Sequence, residues 1–146
     1  MRKTVLAPGH GDVDSDEIDE VPSALAVATH HADHVRLVIS GTTWTSGDLE
    51  EQTRRVFELF ERHLEEFDAD TRSVVRLRLQ IAEPHLTPEN RRLVHEVRAE
   101  FFETPHYPAS TLIEVADLAH EEALIEIEAG AVVPDDGWEV EVVMDE

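Results

Sequence analysis

A chain of 146 residues is long enough to bury one core of ordinary size. It contains no cysteine, which excludes disulfides and thiolate-held metals and fits a soluble cytoplasmic protein. Acidic residues number 33 against 12 basic ones, a net charge of -21, so neither nucleic acid nor an anionic membrane is expected as a partner.

Lys3–Leu6 reads as a short strand, with no long apolar run around it of the kind a signal peptide or membrane span needs. Residues 9–20, G-H-G-D-V-D-S-D-E-I-D-E, form an acidic loop. Asp12, Asp14 and Asp16 have calcium-loop spacing. Glu17, however, stands where such a loop needs glycine and Ser23 where it needs its closing glutamate, so calcium is not expected. Leu25–Thr29 and Val35–Ser40 read as two strands of a hairpin. The turn between them holds His30, His31, Asp33 and His34. These are suitable ligand types, but neighbouring side chains in a turn diverge, and no metal site is expected.

From Asp48 to Phe67 the residues Leu49, Val56, Leu59, Phe60, Leu64 and Phe67 recur at three- and four-residue spacing among charges, which predicts an amphipathic helix. Thr45 or Ser46 is its expected N-cap. Ser73–Ala82 alternates, with Val75, Leu77, Leu79 and Ile81 on the predicted buried face and Arg76 and Arg78 opposite. Thr87-Pro88-Glu89 opens a second helix with the stripe Leu93, Val94, Val97 and Phe101, ended by Pro105. Thr111–Ala116 and Leu124–Val132 read as strands, Pro134–Gly137 as a turn and Trp138–Met144 as a last strand. This order predicts an α+β domain, a mixed sheet covered by two helices. The dispersal of the acids through these periodic segments points to a surface adapted to molar salt, where ions screen carboxylate repulsion, as in a halophilic protein.

Several short motifs, in order, carry a resemblance. They are L-V-I-S-G (37–41), D-L-E-E-Q (48–52), Val75-Arg76, Phe101-Phe102, P-A-S-T (108–111) and I-E-I-E-A (125–129). Together they resemble the Rid (YjgF) family of imine and enamine deaminases over about Pro22 to Val133. The resemblance implies a single Rid-like domain over 1–146, with an acidic loop at 9–21 and an extension at 134–146. It also implies a chorismate-mutase-like fold and a homotrimer with small-molecule clefts between subunits. In the deaminases an arginine grips the carboxylate of a 2-imino acid, because a guanidinium fork matches a carboxylate bidentately. A glutamate positions the hydrolytic water.

Carried over residue by residue, Glu126 falls on the water-positioning glutamate and Gly41 on the glycine that lines the cleft. His95 falls where many members have asparagine, and Ser110 takes the place of the arginine. The expected cleft therefore comprises Gly41, Thr42, Trp44, His95, Ser110, Thr111 and the catalytic candidate Glu126, without cofactor or metal. Ordinary reading of the pattern leaves alternatives beside these roles. Glu126 and Glu128 also suit a solvated strand face, Trp44 suits a core edge as well as a ligand wall, and Arg76 and Arg78 suit ion pairs as well as an approach to a cleft. Two functions remain: hydrolysis of an uncommon imine or enamine, or a non-catalytic trimer that binds a small metabolite. An RNase function is disfavoured by the acidic surface.

Overall fold

The computed structural model describes residues 1–144. Six strands form one sheet: β1 (Arg2–Pro8), β2 (Ala24–His30), β3 (His34–Thr42), β4 (Val74–Ala82), β5 (Ala109–Val115) and β6 (Ile125–Pro134). Two helices, α1 (Leu49–Glu65) and α2 (Pro88–Arg98), follow β3 and β4. The strand order is β1-β2-β3-β6-β4-β5. Every neighbouring pair is antiparallel except β4 and β5, so the sheet is mixed. That parallel pair requires a crossover, and α2 supplies it. The α+β architecture is the one the periodicities predict.

Both helices pack on one face. The core draws Ala26, Ala28, Leu37, Ile39, Leu77, Leu79, Ile81, Ile125 and Ile127 from alternate positions of four strands, and Val56, Phe57, Phe60, Leu64, Val94 and Val97 from the helices. Phe57 is fully buried and stands at the centre of an aromatic cluster, 5.5 Å from the ring of Phe102 and 5.3 Å from that of Phe101. It stands three residues before Phe60 yet is not among the residues of the predicted stripe, and the buried arc of α1 is wider than that stripe. Leu59, placed in that stripe, is only half-buried.

Three local expectations are corrected. The N-cap of α1 is Asp48, not Thr45 or Ser46: its carboxylate accepts from the Glu51 amide at 2.9 Å. A charged cap one residue before the helix also meets the positive end of its dipole. Val75 is not on the buried face. The register of β4 against β6 breaks between Val74 and Arg76, so Val74 turns inward and Val75 joins Arg76 outside, 43% exposed. Trp138–Met144 forms no strand among the described residues. Thr87 caps α2 as expected, accepting from the Asn90 amide at 3.1 Å with Pro88 in the first turn.

Candidate functional site

A second irregularity shapes the region around Gly41. In the β3–β6 ladder Ile39 pairs with Ala129 and Thr42 with Ile127, so three steps on β3 oppose two on β6. The extra residue falls at Ser40–Gly41. The Ser40 hydroxyl donates to the Ala24 carbonyl at 2.7 Å and the Thr42 hydroxyl to the Ser40 carbonyl at 2.9 Å, holding the bulge. Glu126 lies between the fully buried Ile125 and Ile127 and so points to the face away from the helices. There it lodges against Gly41: a Cβ at position 41 would sit 2.9 Å from Glu126 Cδ and 3.2 Å from its Oε1. A side chain at position 41 would push that carboxylate out of its present seat.

Of the other expected residues, Thr42 is buried and its hydroxyl is engaged as described. Trp44 is half-buried against the core, with the Arg55 guanidinium 4.6 Å from its ring centroid. Thr111 accepts from Arg76 Nη2 at 3.3 Å, and Arg78 approaches Glu128 at 3.9 Å. Arg36, Arg76, Val38, Glu128, Gly130 and Val132 line a hollow of about 610 Å³ on the open face of the sheet.

His95 and Ser110 lie elsewhere. His95 lines a cleft of about 230 Å³ with Arg98, Phe102, Tyr107 and Pro108, next to the start of β5. Burial, then the charges of Arg98 and Arg91, push the His95 imidazole below its ordinary range, and burial does the same to the Arg98 guanidinium. Ser110 pairs with Leu77 and stands two residues from Leu112, which packs on the core, so its side chain shares the helix-covered face at an exposed edge. Glu126 pairs with Gln80, whose partner on β5 is Ile113. Ser110 and Glu126 are thus two strands and three residues apart, about 14 Å, and on opposite faces. One chain brings Gly41 and Glu126 together and sets His95 beside the Ser110 edge, but it does not join the two groups.

Spacing also misses Gln52. It is 1% exposed on α1 and fully engaged: its Nε2 donates to the Gly47 carbonyl at 3.2 Å and the Glu122 carbonyl at 3.1 Å, and its Oε1 accepts from the Leu124 amide at 2.8 Å. It ties the loop after Gly41 to the segment entering β6, and hence to the strand that carries Glu126. A polar residue at a core-facing helix position was the available signal.

In the β2–β3 turn, the rings of His31 and His34 stack 4.5 Å apart, while His30 bonds Thr4 at 2.8 Å. Among the described residues no three His, Cys, Asp or Glu side chains form a group able to hold a metal, and no helix is long and apolar enough to cross a membrane.

Residues 21–133 match the family model described as Endoribonuclease L-PSP. The chain belongs to that family, the YjgF/Rid family. A member of the YjgF/YER057c/UK114 family from Mycobacterium tuberculosis is 30% identical, with a TM-score of 0.69 over 90% of this chain and 100% of its own. A putative endoribonuclease from Thermotoga maritima is 25% identical, with a TM-score of 0.67 over 90% of this chain and 98% of its own. A Rid-family protein of unknown function from Yersinia pestis shares the fold at 23% identity, with a TM-score of 0.67 over 90% of this chain and 100% of its own. A comparison with curated proteins returned no match. The boundaries of the family match are close to those of the motif resemblance, and residues 134–146 lie outside it.

Proposed function

We propose that this YjgF/Rid protein is a cytoplasmic homotrimer whose subunit boundaries form clefts for a small metabolite, and that Glu126 orients water there for hydrolysis of an uncommon imine or enamine. The carboxylate of Glu126, seated against the bare backbone of Gly41, is the observation that carries this reading. In the step itself, Glu126 accepts a proton from water as the oxygen attacks the C=N carbon. The proton passes to nitrogen, the carbon–nitrogen bond of the resulting carbinolamine breaks, and a carbonyl compound and ammonia leave. The clefts need two copies, since Ser110 and His95 lie far from Glu126 within one chain; a neighbour's edge would complete the site. Ordinary 2-imino acids are poor candidates, because Ser110 offers one hydroxyl where a guanidinium would grip the carboxylate. The net charge of -21 argues against RNA as the substrate.

The test is imine hydrolysis in molar salt with 2-iminopropanoate generated in place. Wild type is expected to be slow, Ser110→Arg to gain activity, and Glu126→Gln to abolish that gain. A gain unaffected by Glu126→Gln would remove Glu126 from the chemistry, and light scattering that shows only monomer would remove the trimer. A second reading, a binding trimer without turnover, is favoured by the same Ser110. Ligand-induced stabilisation of wild type with no hydrolysis in any variant would select it.

A further inference from the structure

The segment beyond β6 concentrates exposed apolar surface. Trp138, Val140, Val142, Val143 and Met144 are all more than 40% exposed. Val75 and Tyr107, beside them, are 43% and 66% exposed. Trp138–Glu141 flank a cleft of about 290 Å³ with Arg72, Val75, His106 and Tyr107. Of twelve large apolar residues exposed among the described residues, five lie along this one segment and two more, Val75 and Tyr107, line the cleft beside its start. On so acidic a surface such a concentration marks a contact surface. The sequence W-E-V-E-V-V-M is rich in valine and alternates with acids, the composition of a strand, yet it pairs with nothing in its own chain among the described residues. Its backbone groups and its valines want the same thing, a sheet edge.

The sheet has two free edges, β1 and β5. Strand β5 carries Glu114 and no base, so it would repel Glu139 and Glu141. Strand β1 carries Arg2 and Lys3, the only lysine in the chain, both exposed and without an ion pair among the described residues. Beside them Val5 is 43% exposed. The chain's own β1 is a poor partner: β3 and β2 separate it from β6, placing its free edge about 19 Å away. The segment leaves on the other side, over Tyr107.

We propose that Trp138–Met144 of one copy adds as a strand to the free edge of β1 in a second copy, with Glu139 and Glu141 on the face of Arg2, and Val140 and Val142 on the other face, covering Val5 and the aliphatic stem of Lys3. Each copy then has one donor segment and one acceptor edge, a head-to-tail contact that can close into a ring. The proposal does not rest on the hydrolytic cleft.

The absence of cysteine makes the contact directly testable. Chains bearing Val5→Cys and a larger tag are mixed, in the lowest salt at which circular dichroism shows the fold intact, under mild oxidation with chains carrying one cysteine at each position from 139 to 143. Opposed side chains on paired strands come within disulfide reach, and successive ones point to opposite faces. The expected result is a mixed-size adduct strong at alternate positions and weak between them. Arg2→Glu with Lys3→Glu in the Val5→Cys chain is expected to lower that yield roughly three- to tenfold. Yields equal at all five positions, no greater than with Glu61→Cys on α1, or indifferent to charge reversal would overturn the proposal. Cross-link position is the readout, so failure here is distinct from failure of the trimer or of hydrolysis.

Discussion

Gln52→Ala is expected to destabilise the protein strongly although its side chain touches no proposed ligand. The substitution removes three hydrogen bonds, to the carbonyls of Gly47 and Glu122 and from the amide of Leu124. Each is worth about 1 kcal/mol net, and water can reach the two carbonyls because Gly47 and Glu122 are exposed. The emptied volume of a side chain only 1% exposed adds roughly another kcal/mol. The total is about 4 kcal/mol, or about 13 °C in Tm for a domain of this size. Thermal melts with urea denaturation give the magnitude, and amide exchange gives the place. Protection should fall first at Leu124 and along the entry to β6, before the rest of the sheet opens. A loss below about 1 kcal/mol, or unchanged exchange at Leu124, would show that Gln52 is not the clamp described. Gln52→Glu separates the two halves of the effect: it keeps the acceptor for Leu124 and loses both donated bonds.

Gly41→Ala is expected to leave the unfolding free energy within about 1 kcal/mol of wild type, since the Glu126 carboxyl end can swing aside and alanine narrows the unfolded ensemble. In the Ser110→Arg background it should still cut imine turnover on the order of a hundredfold, because the carboxylate must move by nearly an ångström. If Glu126→Gln does not absorb that loss in a double-mutant cycle, Gly41 acts by another route. His63 is held below its ordinary pKa first by burial, then by His10, with Glu66 opposing and Arg62 adding, and its Nε2 is buried without a partner. The unfolded chain therefore takes up this proton first: stability is full above about pH 6.5 and falls as pH drops below it. His63→Gln should flatten that part of the urea-midpoint profile, and an identical profile would exclude His63 as the source. Val74→Ala should cost about 2 kcal/mol in urea denaturation and Val75→Ala within about 0.5, and the reverse order would remove the bulge.

The clean alternation of Leu77, Leu79 and Ile81, the stripe of α1 and the Thr87-Pro88 start of α2 made the elements and their order legible. Each is a local signal, a period or a cap within a few residues, and the motif order through I-E-I-E-A gave the family. Near Val75 the same alternation misleads, because the bulge exists only in the pairing of β4 with β6. The N-cap was missed for a local reason: Thr45, Ser46 and Asp48 are all competent caps, and the helix geometry chose the one whose carboxylate reaches the Glu51 amide.

The candidate site divides along the same line. Sequence by itself determined the residue types, glycine at 41, glutamate at 126 and serine at 110, and with them the chemistry available. Tertiary structure decided which of them meet. The bulge at Ser40–Gly41 puts Glu126 against a bare backbone, while register and pleat place Ser110 two strands away on the opposite face. It also decided that Gln52 reaches Leu124 across 72 residues of chain, and that Trp138–Met144, a strand by composition, finds no edge at home. The physical reason is that periodicity and capping are settled between near neighbours, whereas register, bulges and free edges depend on strands far apart in the chain.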